Sequence, residues 1–162
     1  MTTIVADQEM GYMAADFMAT SNDGEFAIDM GTKIEEVKAG GVEYLVGSSG
    51  LEGPGFVFME WFKNGSWDEP CEPIYDIGDD SDFSVLILGP DGLFVVDKWM
   101  QLLPVKNRWY GIGTGSVAAW SILEAGVGIE KAMETAIKLD PSSGFGFEVK
   151  YLNGDHNTFE TP

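Results

Sequence analysis

Apolar residues fall into short blocks along the chain, and the period within each block, with the breakers between them, sorts the blocks into strands and helices. Residues 3–7 and 10–15 are two apolar stretches joined by polar Gln8 and Glu9, which predicts a hairpin at the very N-terminus. Asn22-Asp23-Gly24 marks a loop, Phe26–Met30 reads as a third short strand, and Glu43–Gly47 as another. The period then changes. Phe56, Met59, Glu60 and Phe62, with Pro54 ahead of them and Gly65 behind, predict a helix. Asp68–Asp82 is an acidic loop holding Pro70, Pro73 and Gly78. Phe83–Leu88 and Leu93–Asp97 flank Gly89-Pro90-Asp91-Gly92, a hairpin signal because proline presets one turn position and glycine accepts positive φ. Gln101–Val105 and Arg108–Gly113 read as a further strand pair. Ser116–Ala125 is an alanine-rich helix, broken by Gly126 and Gly128. Ile129, Ala132, Met133, Ala136 and Ile137 then recur at helical spacing, the cleanest amphipathic pattern in the chain. Asp140-Pro141 ends that helix, Phe145–Leu152 reads as a last strand, and a polar tail begins at about residue 153.

The order is strands, one helix, strands, two helices, strand. Hairpins separated by helices imply an α+β chain with antiparallel sheets and segregated helices, not alternating βαβ units. Two packed sheets with helices outside satisfy the pattern. With 162 residues and 44% apolar content, residues 1–162 read as one globular domain with a real core. The longest apolar run is far short of a membrane span, and no basic-then-apolar leader opens the sequence. Cys71 is the only cysteine, so no intrachain disulfide is available and a reducing, cytoplasmic compartment is the expectation. The one histidine, His156, lies in the polar tail, so no Cys/His cluster offers a metal site. The formal net charge of -18 argues against nucleic acid and against an anionic membrane surface, since both need clustered Lys and Arg. It reads as solubility and self-repulsion, or as attraction to a basic partner.

Six short segments follow one another at telling intervals: Thr2-Thr3-Ile4, Ala15-Asp16-Phe17-Met18-Ala19-Thr20, Gly31-Thr32-Lys33-Ile34, Leu45-Val46-Gly47-Ser48-Ser49-Gly50, Gly113-Thr114-Gly115-Ser116 and Asp140-Pro141-Ser142-Ser143-Gly144. Each has an ordinary reading alone. Lys33 beside Glu35 and Glu36 is a surface ion pair, Asp16 caps a turn, Gly47 is a bulge or close-packing glycine, and Ser142 and Ser143 are loop residues. In this order they resemble the proteasome β-subunit and HslV type of threonine peptidase, in the N-terminal-nucleophile (Ntn) hydrolase superfamily. The resemblance covers roughly residues 2–152. It implies a four-layer αββα sandwich of two antiparallel sheets flanked by helices, and peptide-bond hydrolysis without a cofactor or metal. It assigns Thr2 as nucleophile after Met1 removal, with its own α-amine as base, Lys33 and Asp16 as the groups that poise it, and Gly47 as oxyanion donor. Thr114, Asp140 and Ser143 would support the nucleophile, while Thr20, Leu45 and Gly47 would bind substrate. It further implies a homo-oligomeric ring acting on unfolded polypeptide, with an ATP-dependent unfoldase as a partner.

The chemistry needs these residue types. A threonine hydroxyl requires an adjacent base, and an α-amine titrates near pH ~8, close to ideal for that work. A neighbouring lysine disfavours amine protonation. Two departures bear on the reading. Thr114 stands where the family has serine, and the Thr2-to-Asp16 spacing is slightly short. No propeptide is expected ahead of Thr2, so only Met1 must leave. If Met1 stays, the amine is locked in a peptide bond, and the chain becomes a catalytically silent ring-assembly protein, the rival reading. Three other signals are set aside. Gly113-Thr114-Gly115-Ser116-Val117-Ala118 fits a dinucleotide fingerprint, but it sits too late for the remaining βαβ units. Asp76, Asp79, Asp80 and Asp82 lack the spacing of an EF-hand calcium loop. Trp61, Trp67, Trp99, Trp109 and Trp120 are too dispersed for a stacking platform.

Overall fold

The computed structural model describes residues 2–21, 24–50, 52–65, 67, 69–72 and 83–161. Met1, the Asn22-Asp23 turn and the four aspartates weighed as a calcium loop lie outside the described residues. The first half of the chain forms β1 (Ile4–Asp7), β2 (Tyr12–Asp16), β3 (Met18–Thr20), β4 (Ala27–Asp29), β5 (Ile34–Ala39), β6 (Val42–Gly50) and α1 (Glu52–Asn64). The second half forms β7 (Phe83–Gly89), β8 (Gly92–Val96), β9 (Leu102–Val105), β10 (Trp109–Ile112), α2 (Ser116–Glu124), α3 (Ile129–Leu139), β11 (Phe147–Tyr151) and β12 (His156–Phe159). Two five-stranded sheets result, ordered β10-β1-β2-β11-β12 and β5-β6-β7-β8-β9, with β3-β4 as a small separate ribbon. Every pairing is antiparallel.

Three apolar clusters hold these elements together, and side-chain parity explains them. Alternate residues of a strand face opposite sides, so Ile4 and Ala6 of β1 enter one cluster and Val5 another. The cluster containing Ile4, Met13, Leu45, Leu86 and Leu88 draws on both large sheets. A second joins Phe58, Met59 and Phe62 of α1 to Val46, Val85 and Ile87. A third joins Leu123, Ala132, Met133 and Ala136 of α2 and α3 to Val5, Ala14, Phe147 and Val149. The helical spacing seen at residues 129–137 is therefore the buried stripe of α3.

The N-terminal hairpin forms where the apolar blocks place it, but β2 starts at Tyr12 rather than residue 10. The Asp7 carboxylate takes the N–H groups of Glu9 and Met10 at 2.9 and 3.0 Å, and Gly11 follows at φ 69°. That turn consumes four residues instead of two. Gln101–Val105 and Arg108–Gly113 are both strands, yet they do not pair: β9 adds to β8 and β10 to β1. Gln8 bridges the crossing, donating to the Val105 and Asn107 carbonyls at 3.0 and 2.6 Å and accepting from Leu93 N–H at 3.2 Å. β5 escapes a search for alternation because Ile34 and Val37 are three apart and face opposite clusters, with Glu35 and Glu36 exposed between them. β12 lies in the stretch read as a polar tail. It is held by its ladder to β11 and by Phe159 stacked on Phe147 at 4.6 Å between centroids.

Phe58 is 1% exposed at the centre of the α1 cluster. Truncation to alanine removes most of its buried area and leaves a cavity. Phe58→Ala should lower the unfolding free energy by about 3–5 kcal/mol in urea titrations. A loss below about 1 kcal/mol would show that α1 is not part of the cooperative core.

Candidate active site

Thr2 precedes β1 and Asp16 ends β2. The antiparallel register that sets Ile4 opposite Ala15 brings the two side by side. The Thr2 hydroxyl donates to Asp16 Oδ1 at 2.7 Å, and Thr3 N–H reaches the same oxygen at 2.8 Å. Lys33, just ahead of β5, points its Nζ at Asp16 Oδ1 (2.8 Å), at Thr2 Oγ1 (2.5 Å) and at the Met18 carbonyl. The other Asp16 oxygen takes the N–H groups of Met18 and Gly144, each at 3.1 Å. Asp16 is fully buried, and both its oxygens are satisfied by charge-assisted bonds. Burial lowers the Lys33 pKa from its ordinary value, and the Asp16 charge only partly opposes this. The arrangement supplies a buried hydroxyl that accepts from an ammonium and donates to a carboxylate.

A second network lies on the other side of the N-terminal strand. Asp140, past the end of α3, accepts from Thr114 Oγ1 at 2.6 Å, Ser143 Oγ at 2.7 Å and Ser142 N–H at 3.0 Å. Ser143 spends its one proton on Asp140, so the 2.7 Å bond between Ser143 and Thr3 is donated by the Thr3 hydroxyl. Burial pushes the Asp140 carboxyl up, but the hydrogen bonds from Thr114, Ser143 and Ser142 outweigh it and hold the carboxyl below its ordinary range. The two glycines of the Gly113-Thr114-Gly115 turn permit close approach. A Cβ on Gly113, at φ 87°, would collide with the Thr2 carbonyl, and one on Gly115 with the Thr3 hydroxyl. Packing against the N-terminal strand therefore accounts for the glycines that mimic a dinucleotide fingerprint.

Thr2 and Lys33 line an open cleft of about 1070 Å³, together with Thr20, Met30, Ser48, Gly50 and Phe56. Thr2, Asp16 and Lys33 thus converge, Thr114, Asp140 and Ser143 form the adjoining network, and Thr20 borders the cleft. Leu45 and Gly47 do not share this placement, which corrects the expectation for both. Leu45 is 2% exposed in the cluster between the two sheets. Gly47 is buried on the same face, where a Cβ would press on Ile4 and Met13 at 3.0 and 3.2 Å. The close-packing reading of Gly47 is the one the geometry bears out. The part of β6 that reaches the cleft is Ser48-Ser49-Gly50, which begins immediately after Gly47. Their signal in the sequence is the change from the apolar run Leu45-Val46 to serine, where the strand emerges from the core. Thr3 was also missed, because nothing in its sequence context separates it from an ordinary strand threonine.

Among the described residues, two large antiparallel sheets and three helices make a fold similar to that of HslV and other proteasome-like proteins. The individual likenesses are to eukaryotic HslV from Trypanosoma brucei, Anbu (ancestral β-subunit) from Yersinia bercovieri, and BPH from Thiobacillus denitrificans in complex with epoxomicin. HslV matches at TM-score 0.69 and 16% identity, over 99% of this chain and 100% of that one. Anbu matches at 0.72 and 11%, over 99% and 87%, and BPH at 0.65 and 17%, over 99% and 100%. At such identities the likeness is one of fold. No protein-family model matches the sequence, and no curated protein does. Among the described residues no helix is long and apolar enough to cross a membrane.

The Asp140 network yields a pH signature. A carboxyl whose folded pKa lies below its unfolded value contributes stability above the unfolded pKa of about 3.9, and loses it as pH falls through the folded value. The stability advantage of wild type over Asp140→Asn should be full at neutral pH and disappear at strongly acidic pH. Thermal unfolding of both proteins across pH checks this. A gap that is flat with pH would deny the carboxylate its role.

Proposed function

We propose that the chain is a threonine-type peptidase subunit that cuts unfolded polypeptides, with Thr2 as the N-terminal nucleophile once Met1 has been removed. The observation that carries this is the Thr2 hydroxyl lying 2.5 Å from Lys33 Nζ and 2.7 Å from Asp16 Oδ1 at the wall of an open cleft. The three clusters, one between the sheets and one under each helical layer, also support reading the architecture as a four-layer αββα sandwich.

In this mechanism the freed Thr2 amine takes the hydroxyl proton as Oγ1 attacks the scissile carbonyl. The amine then passes that proton to the leaving amine, and an acyl ester remains on Thr2. Water, activated by the same amine, hydrolyses the ester and restores the site. The Lys33 ammonium keeps the amine from protonating and screens charge on Oγ1, while Asp16 holds Lys33 in place. Backbone N–H groups at Ser49-Gly50, on the cleft wall, are better placed for the oxyanion than Gly47 in the core. Such a donor typically contributes about 3–4 kcal/mol. An extended substrate lies along the cleft beside Thr20, adding as a strand next to β3.

Thr2→Ala and Lys33→Ala should each abolish turnover of fluorogenic peptides, and active wild type should have lost one methionine by intact mass. Lys33→Ala removes one partner of a buried pair, so it should also cost about 3 kcal/mol of stability. Asp16 keeps its other donors, and the chain still folds. Full turnover by Thr2→Ala, or by protein that keeps Met1, would overturn the nucleophile.

Assembly into a closed ring is part of the same proposal, with an ATP-dependent unfoldase as its partner. The helices turn large apolar side chains outward: Phe56 and Val57 on α1, Val117 on α2 and Leu139 on α3 are all exposed. The adjacent exposed Phe56 and Val57 give α1 an outward apolar face, and such faces mark interfaces when they form patches, while a net charge of -18 makes subunits repel. Light scattering should therefore show an oligomer that strengthens as added salt screens the charge. A monomeric mass at every salt concentration would refute the ring.

A further inference from the structure

A second buried carboxylate serves the lysine segment. Glu148 sits on β11 opposite Ala15, one position from the pairing of Phe147 with Asp16, and is 1% exposed. Its neighbours Phe147 and Val149 face the α2–α3 cluster, so Glu148 faces away from it, toward the start of β5. There Oε1 accepts from Thr32 Oγ1 at 2.5 Å, Lys33 N–H at 3.1 Å and Ile34 N–H at 3.3 Å. Two residues on, Lys150 donates to the Ile34 carbonyl at 2.8 Å and to Thr32 Oγ1 at 3.3 Å. Glu148 Oε2 meets His156 Nε2 of β12 at 3.1 Å and lies 3.8 Å from Lys150 Nζ. Among the described residues β5 is an edge strand, and one side of its backbone has no sheet partner. The side chains of β11 take over that office for residues 32–34, and so anchor one sheet to the other at the base of Lys33.

We propose that Glu148 is a positioning residue for Lys33: by clamping the Thr32-Lys33-Ile34 backbone it sets where the lysine Nζ stands between Thr2 and Asp16. The inference rests on the peptidase reading of the site. Asp16 alone does not fix that geometry, because a lysine stem has four rotatable bonds and reaches the same carboxylate from several backbone positions. Misplacing a reacting group by about 1 Å costs up to about a hundredfold in rate. The Lys150 ammonium beside Oε2 offsets the buried charge, and His156 Nε2 lies within hydrogen-bond distance of the same oxygen, so the clamp does not depend on a bare carboxylate in the core.

The test compares Glu148→Ala and Glu148→Gln with wild type in kcat and KM for a fluorogenic peptide, with thermal unfolding alongside. Glu148→Ala should lower kcat by about ten- to a hundredfold with KM within about twofold. Glu148→Gln, which keeps an acceptor for the three donors and turns its amide toward His156, should recover most of that loss. Independently of turnover, the 13Cε resonance of labelled Lys33 reports its titration. That pKa, depressed by burial, should move back toward the ordinary lysine value in Glu148→Ala and stay depressed in Glu148→Gln. An unchanged Lys33 titration with unchanged kcat in a folded Glu148→Ala protein overturns the positioning role and leaves the peptidase reading standing. If wild type shows no Thr2-dependent turnover, the peptidase reading falls instead. The Lys33 titration then still decides whether Glu148 places the lysine. Should Glu148→Ala not fold, Thr32→Val removes the shortest clamp bond, together with that hydroxyl's contacts to Lys150 and Ile34, and leaves the Lys33 and Ile34 N–H bonds to Glu148; an unshifted Lys33 titration there counts against the proposal.

Discussion

The Asp16 carboxylate is the point on which the site hangs. Five donors from four separate stretches of chain converge on its two oxygens: Thr2 and Thr3 at the start, Met18 past β2, Lys33 ahead of β5, and Gly144 after α3. A fully buried charge is tolerated only with such company. That need works in both directions: the partners make the burial possible, and the buried charge penalises any fold that leaves one of them out. Hydrophobic packing brings the two sheets together, but its driving force is indifferent to direction. The carboxylate is not, because charge-assisted hydrogen bonds weaken steeply with distance and angle.

The parts of this architecture legible in the sequence are those in which one residue type does one local job. The α3 stripe, the Gly89–Gly92 turn and the N-terminal hairpin each follow from spacing and turn chemistry inside a dozen residues. Thr2, Asp16 and Lys33 were legible for another reason: a nucleophile, a cation and an anion at those intervals resemble a known constellation, and here they touch. What stayed hidden depends on parity or on partners distant in sequence. Leu45 and Gly47 lie on the inward face of β6, and only the burial along the strand shows that it surfaces at Ser48. The strand at 156–159 reads as tail because His156, Asn157 and Thr158 are polar, and its reason to be a strand is β11. The crossing between β9 and β10, which join different sheets, is likewise bridged by Gln8, almost a hundred residues away.

Close approach is the other constraint. At Gly113 and Gly115 the turn before α2 sits so near the first strand that even a methyl group has no place. Thr114, between them, is free to offer its hydroxyl to Asp140, so the methyl that separates it from serine is accommodated on the exposed side of the turn. The same segment thus joins backbone crowding on one side to a hydrogen-bond network on the other.

The order in which these pieces leave the ribosome has its own consequence. β2 finds one neighbour, β1, almost at once, but its other neighbour is β11, and the last donor to Asp16 is Gly144. Until that region has been synthesised, the β1–β2 hairpin can set Thr2 beside Asp16, but β2 lacks its second neighbour and the carboxylate its Gly144 donor. A nascent or truncated chain carries these side chains without the full set of donors to Asp16. The set of partners around the buried carboxylate is therefore complete only once nearly the whole chain has been made.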